Sequence, residues 1–230
     1  MAMTPKIGAL RPPRAPNLPI APVEYAQLYQ DQFSNALRLY FEEIDNLASG
    51  YAQGSFGNII KFPNISAYYY PAQYATGTNV PTIVNWNNST SQYGFILNAN
   101  NTATATYTGT YKITYSIQIA NSDNTAHDAI FWLRVNGNTS AADVENSTTI
   151  FTVPARKSTG NPTLTCAYSE VVFKLEAGDS VGLWWGTEQA ATSGGATGIW
   201  LYAKAVQTTP MPYPETPSAI GSITFVSAAT

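Results

Sequence analysis

The chain has 230 residues, of which 44% are hydrophobic, and this length fits one large β domain with extra segments or two small domains. Charged residues make up only 11%, against roughly 25% in an average soluble domain. The formal net charge is −3, so the chain lacks a basic field for phosphates and we expect no nucleic-acid partner. No apolar run approaches the ~18 residues of a membrane-spanning helix, and we expect no membrane partner.

Residues 1–22 are predicted to form an extended docking arm. Prolines recur through this stretch and block helix formation, and its positive charges are Lys6, Arg11 and Arg14. Two interpretations remain open: a strap that lies along a partner surface, or a disordered linker. The stretch has no apolar core of a secretory signal, so we expect synthesis in the cytoplasm.

Residues 23–49 are predicted to form one α-helix that stops at Ser49–Gly50, followed by a hinge over 50–62. Apolar residues recur at alternating spacings of 4 and 3 and form a seam on one face. We expect this seam to serve docking or oligomerisation, although packing on the chain's own β domain is an equal alternative. The seam residues are Tyr29, Phe33, Leu37, Tyr40, Ile44 and Leu47.

Beyond residue 62 the hydrophobic period changes to 2, which indicates strands. The segment 102–121 alternates most clearly and is expected to turn Tyr111, Ile113, Tyr115, Ile117 and Ile119 to one side. Turn signals separate several strands with no long helix between them, which favours an all-β antiparallel sandwich over 63–210. The tail 211–230 begins with prolines and ends in a short β-prone piece, expected at a sheet edge or on a neighbouring subunit. The strand candidates are 65–70, 82–87, 93–98, 102–121, 129–137, 148–155, 163–175, 180–188 and 198–208.

Four motifs in order along the β region resemble the tumour necrosis factor and complement globular-head jelly-roll superfamily. They are Tyr107-x-Gly109-x-Tyr111, the run 131–137 that ends in Asn136–Gly137, the run 175–181 with Gly178–Asp179, and the run 198–202. The resemblance covers roughly residues 65–208 and implies an antiparallel jelly roll.

The same resemblance implies a homotrimer with aromatic and aliphatic residues buried between subunits. Each aromatic residue is alternatively an ordinary core residue, since strand alternation turns about half of them inward. The interface candidates are Tyr68, Tyr69, Tyr70, Trp86, Trp132, Trp184, Trp185 and Trp200.

The segment 33–41, FSNALRLYF, resembles the N-terminal helix of virion structural proteins from tailed phages. This resemblance implies a virion location and a capsid or tail protein as the partner of the arm and helix. We therefore expect a capsid decoration or cement protein with trimeric knobs. The alternative function is the receptor-binding head of a head or tail fibre.

No pattern in the sequence predicts catalysis, and we expect neither an enzyme nor a cofactor. His127 is the one histidine, which excludes a multi-histidine metal site. Cys166 is the one cysteine and is expected to be a small buried hydrophobe. Two carboxylate pairs remain as weak hydrolase candidates, Asp143 with Glu145 and Asp179 with Glu188. The loop with Asp123, Asn124 and Asp128 leaves a calcium site open.

Overall fold

The computed structural model describes residues 27–52, 62–192 and 197–228, and for residues 45–52 it describes the backbone only. Two compact units divide the chain, one over residues 7–61 and the other over residues 1–6 and 62–230. The predicted arm with Lys6, Arg11 and Arg14 lies outside the described residues, as do hinge residues 53–61 and the side chain of Leu47.

The first unit contains one helix, α1, over Gln27–Ala52. The predicted stop at Ser49–Gly50 is wrong, because the helix continues past it to Ala52. A glycine costs only about 1 kcal/mol relative to alanine inside a helix, and the next proline is Pro63. In the described part of this helix no side chain is fully buried: the five described seam residues are partly exposed, and Leu28, Leu39 and Phe41 are exposed. The rings of Tyr29 and Phe33 stack at 6.1 Å along the seam.

The second unit is built from β-strands and one short 3₁₀ turn at Ser140–Ala142. Six of the twelve described strands begin and end within two residues of a predicted segment, and the strand over Thr163–Leu175 matches its predicted bounds. The candidate 198–208 shrinks to the three residues Ile199–Leu201, and the strand over Asn88–Tyr93 was not predicted. The candidate 82–87 shrinks to two residues, and the candidate 102–121 divides at a turn over 106–108. The described strands are β1 Asn64–Tyr69, β2 Thr82–Ile83, β3 Asn88–Tyr93, β4 Phe95–Leu97, β5 Ala103–Ala105, β6 Gly109–Asn121, β7 His127–Val135, β8 Thr149–Val153, β9 Thr163–Leu175, β10 Ser180–Thr187, β11 Ile199–Leu201 and β12 Ala219–Ser227.

These strands form two antiparallel sheets packed as a jelly-roll sandwich. In the first sheet β9 pairs with one side of β6, and β12 and β11 pair with its other side, followed by β1 and β3. The second sheet has the order β4-β5-β10-β7-β8, with β2 also paired to β10. Neighbours in a sheet are mostly distant in sequence, and the chain alternates between sheets, which is the Greek-key connectivity of jelly rolls.

The C-terminal strand β12 departs from expectation. We expected an edge strand or one lent to a neighbouring subunit, whereas β12 lies between β1 and β6 in the middle of the first sheet. Its Ile223 is buried in the core. The tail therefore completes the sandwich of its own chain.

The core lies between the two sheets, and the predicted alternation of β6 is confirmed. Tyr111, Ile113, Tyr115, Ile117 and Ile119 are all buried. From the second sheet they meet a set of buried residues that includes Phe131, Leu133, Leu183 and Trp185. The predicted burial of Cys166 is wrong, since its side chain is exposed on β9.

The Gly178–Asp179 turn links two of the sequence motifs. Gly178 has φ +98°, a conformation that glycine adopts without a steric penalty. The Glu176 backbone N–H donates to Asp179 Oδ2 at 2.7 Å, and Asn136 Nδ2 donates to Asp179 Oδ1 at 2.7 Å. Asp179 is therefore a turn residue, as predicted, and it ties the end of β7 to the start of β10.

Among the described residues no helix is long and apolar enough to cross a membrane.

Candidate functional site

The solvent-facing side of the first sheet is a candidate interaction surface of the β unit. Residues of β9, β6, β12 and β1 that point away from the core form continuous rows across it, because the strands are in register. One row runs from Tyr168 through Ser116 and Ile220 to Tyr68. We call this side the outer face. Its exposed apolar residues are Leu164 (50% exposed), Tyr168 (61%), Val172 (53%) and Ile220 (46%).

Charges on the outer face are few, and its two described lysines, Lys112 and Lys174, each lie beside a glutamate. Lys112 Nζ lies 3.5 Å from Glu170 Oε2 on the neighbouring strand, and the pair is about half exposed. Between the apolar residues lie neutral polar groups, such as Thr114 and Ser222, whose hydroxyls are 2.7 Å apart. The exposed Cys166 Sγ lies 3.2 Å from Ser116 Oγ. The outer face is therefore almost neutral, with its polar groups already hydrogen-bonded to one another.

The three predicted tyrosines at the end of β1 and just after it do not share one environment. Tyr68 lies on the outer face, and its ring meets Tyr70 edge to face at 5.0 Å. Tyr69 points to the opposite side of β1, and its backbone carbonyl accepts the backbone N–H of Ser218 at 2.8 Å. Two of the three are thus placed for contact with another molecule from the outer face.

The predicted tryptophans are also divided between locations. Trp132 and Trp184 pair across β7 and β10 on the solvent side of the second sheet, away from the outer face. Arg134 lies against both rings, 4.3 Å from the Trp184 centroid, and bonds Asp143. Trp185 is fully buried and stacks on Phe131 at 6.3 Å.

Trp86 and Trp200 occupy the remaining two environments. Trp86 packs against the core and covers Gly221 of β12. Trp200 lies in β11 opposite Ala120, at one end of the first sheet, and lines a cleft. The structure therefore brings Tyr68 and Tyr70 together on the outer face, and Trp132 and Trp184 together on the opposite side of the sandwich.

The cleft beside Trp200 has a volume of about 410 Å³. Tyr74 and Trp200 supply aromatic walls, and Arg156 supplies the positive charge. Its remaining lining is neutral and mostly polar: Ser122, Thr159, Gly160, Asn161, Pro162, Ala191, Thr192 and Thr197.

Two buried amides hold the walls of this cleft. Asn121 is fully buried, and its Nδ2 donates to the carbonyls of Thr125, Val153 and Pro154 at 2.8, 3.2 and 3.0 Å. On the other side, Gln73 pairs its backbone with Leu201 and donates Nε2 to Ser218 Oγ at 3.0 Å. The first amide fixes the β8–β9 connection that carries Arg156, and the second fixes Tyr74 beside β11.

His127 lies between two carboxylates rather than in a catalytic relay. Its Nε2 is 2.8 Å from Asp123 Oδ2, and its Nδ1 is 3.3 Å from Glu188 Oε1. The hydrogen bond from His127 lowers the pKa of Asp123 below its ordinary value, with a further contribution from the Asn124 backbone N–H. This network ties the β6–β7 loop to the segment after β10.

The other carboxylates that the sequence offered for chemistry are engaged separately. Asp128 accepts a hydrogen bond from Thr152 Oγ1 at 2.6 Å, while Asp123 faces His127. Asp143 bonds Arg134 and the Trp132 indole N–H, and Asp179 is held in its turn. Within residues 27–44, 62–192 and 197–228 no cluster of three metal-ligating side chains occurs.

The sequence analysis missed Tyr74, Asn121 and Arg156. They lie on three separate connections and converge only through the sandwich topology, so no local spacing links them. The one usable signal was Asn121, because an amide at the end of a strongly alternating strand marks a site where strand pairing gives way to a loop.

The fold and its outer face define the class of protein: an all-β antiparallel jelly-roll protein with a separate N-terminal helix. No protein-family model and no curated protein matches the sequence. Among solved structures, the chain is similar to the Eiger tumour necrosis factor of S. frugiperda, with a TM-score of 0.47 and 11% identity over 74% of this chain and 96% of that chain.

Proposed function

We propose that this chain is a structural protein of a tailed-phage virion, a capsid decoration or cement protein whose β unit forms trimeric knobs. One observation carries the proposal: each of the two units, taken by itself, has an apolar surface that its own fold does not bury. A protein that works alone in solution rarely keeps two such surfaces, which are typical of interaction sites.

The outer face suits contact with copies of the same chain. Its exposed residues are aliphatic or aromatic, which interfaces favour. Its two described lysines each lie beside a glutamate of the same chain, Lys112 beside Glu170 and Lys174 beside Glu176, so two such faces meet without unpaired like charges. The number three comes from the resemblance of the β region to the tumour necrosis factor superfamily.

The helix supplies the second surface. Its partly exposed seam includes Tyr29, Phe33 and Leu37, and Leu28 and Phe41 extend the apolar area. Burial of such area contributes about 25 cal/mol per Å². A helix and arm bound across neighbouring capsid subunits would stabilise the shell against the pressure of packaged DNA. The phage assignment comes from the resemblance of residues 33–41.

The test removes residues 1–48 from the chain in the phage that encodes it. Purified virions are expected to lose the protein, and their heads are expected to break at a lower temperature. The matched control replaces an exposed helix residue away from the seam, Asp31→Asn, and is expected to leave incorporation unchanged. Virions that keep the truncated chain and their heat resistance would contradict the proposal.

A second candidate, the receptor-binding head of a head or tail fibre, is supported by the cleft beside Trp200. Ligand sites are typically concave and combine aromatic walls with a few placed polar groups. In this case the knob contacts the host and not the capsid lattice. Phage whose knob is deleted are then expected to adsorb poorly while their heads remain stable.

A further inference from the structure

We infer that the cleft beside Trp200 binds an acidic sugar, a pyranose ring that carries a carboxylate. The inference deepens the receptor-binding candidate and is independent of capsid decoration. Three features of the cleft support it: its aromatic walls, the guanidinium of Arg156 and its size.

The aromatic walls match the faces of a sugar ring. Trp200 and Tyr74 are both partly exposed and come from different connections, joined by the backbone pairing of Gln73 with Leu201. Aromatic rings present an apolar face that packs on the C–H groups of a pyranose, while polar edges remain available for hydrogen bonds. Buried hydrogen bonds from Asn121 and Gln73 hold the backbone on both sides, so the walls are formed before a ligand arrives.

Arg156 gives the cleft its preference for an anion. Its Nη1 donates to the Ser122 carbonyl at 3.3 Å, and its backbone N–H donates to the Asp123 carbonyl at 2.7 Å. The structure gives it no carboxylate partner among the described residues, since Asp123 turns its carboxylate to His127. A half-buried guanidinium that lines an open cleft is suited to bidentate contact with a carboxylate.

The size and lining of the cleft suit one or two sugar rings. About 410 Å³ is at the lower end of the roughly 300–1,000 Å³ of small-molecule sites. Hydroxyls and amides such as Thr159 and Asn161 can exchange hydrogen bonds with sugar hydroxyls. A long apolar ligand finds no matching wall, because the lining beyond the two rings is mostly polar.

The test measures binding to the full-length protein by saturation-transfer NMR and by tryptophan fluorescence. The probes are glucuronate, galacturonate and N-acetylneuraminate, with glucose, galactose and inorganic phosphate for comparison. At least one acidic sugar is expected to bind roughly tenfold more tightly than its uncharged counterpart, as expected for a charge-assisted pair. Binding of phosphate as tight as that of every acidic sugar would overturn the assignment to sugars, as would binding of none of them.

Two variants and one control locate the site. Arg156→Gln is expected to remove the preference for the acidic sugar, and Trp200→Phe is expected to weaken both classes of sugar by a few-fold while preserving the fold. Lys157→Gln removes the same charge from the exposed neighbour of Arg156 and is expected to bind like the wild type. Unchanged binding in Arg156→Gln, with thermal unfolding like that of the wild type, would overturn the inference. None of these results depends on where the chain resides in a virion.

Discussion

Asn121 organises one end of the sandwich although it carries no charge and no reactivity. It is buried at the end of β6, where its amide reaches three carbonyls and its Oδ1 accepts the Asp123 backbone N–H at 2.8 Å. Each of those carbonyls belongs to a connection that leaves a strand. A buried backbone group without a hydrogen-bond partner costs about 1–3 kcal/mol. The Asn121 side chain avoids this cost for backbone groups that the pairing of β-strands leaves without a partner.

The substitution Asn121→Ala is expected to lower the free energy of unfolding by about 2–4 kcal/mol, because several buried polar groups lose their partner together. Urea denaturation followed by fluorescence measures the change. The control, Asn138→Ala, alters an exposed side chain and is expected to stay within about 0.5 kcal/mol of the wild type. Equal stability of the two variants would show that water replaces the Asn121 amide without cost.

Asp123 and His127 predict a pH effect with a defined sign. The folded-state pKa of Asp123 lies below its ordinary value of 3.8, chiefly because of the hydrogen bond from His127. A carboxyl with a lowered pKa contributes stability that is present above its unfolded-state pKa and is lost as the pH falls through its folded-state pKa. The protein is therefore expected to lose this contribution below about pH 4.

The substitution His127→Gln is expected to raise the pKa of Asp123 towards 3.8. A carbon-detected NMR titration of the Asp123 carboxyl in both proteins measures this directly. As a control, Thr152→Val removes the hydrogen bond to the neighbouring Asp128 and is expected to leave the titration of Asp123 unchanged. An Asp123 carboxyl that titrates at the same pH with and without the imidazole would contradict the assigned cause.

At the scale of elements, the alternation of apolar and polar residues predicted which segments form central strands. It did not always predict which side of a strand faces the core. In β6 only one side is apolar, so the inward set could be predicted. In β9 both sides carry apolar residues: Ala167 and Leu175 are buried, whereas Leu164, Tyr168 and Val172 are exposed. The burial of Cys166 could not be judged from its residue type, because its position relative to Ala167 places it on the outer face.

The end of α1 and the place of β12 escaped prediction for different reasons. The predicted end of the helix relied on Gly50. A glycine inside a helix costs about 1 kcal/mol, which is small beside the gain from continuing the helix. The place of β12 depends on non-local pairing, which no local pattern records. The cleft escaped for the same reason, since Tyr74, Arg156 and Trp200 come together only after the sheets form.

Hydrogen exchange tests the central place of β12. The backbone amides of β12 that pair with β1 or β6 are expected to exchange as slowly as those of β6, because both opening reactions require disruption of the sheet. Amides of the edge strand β3 are the internal comparison and are expected to exchange sooner. Exchange of β12 at the rate of β3, while β6 stays protected, would mean that the tail is a detachable edge.

At the scale of the whole molecule, the two units present different kinds of apolar surface. The β unit offers a wide, neutral sheet face, which suits an interface between identical copies. The helix offers a narrow seam, which suits a groove or a second helix. Under the proposed function, the sheet face would build the trimeric knob and the helix would attach it to the capsid.

Analytical ultracentrifugation of the full-length chain, with point variants, tests the account most directly. At about 20 µM, a concentration at which a micromolar or tighter association is populated, the wild type is expected to sediment as a trimer of 24.8 kDa chains. Ile220→Glu places a charge in the middle of the outer face and is expected to give monomers that keep the β-sheet circular dichroism spectrum. Ile150→Glu alters a residue on the second sheet that is 59% exposed, against 46% for Ile220, and is expected to remain trimeric. A wild-type chain that sediments as a monomer, or an Ile220→Glu chain as trimeric as the wild type, would contradict the account.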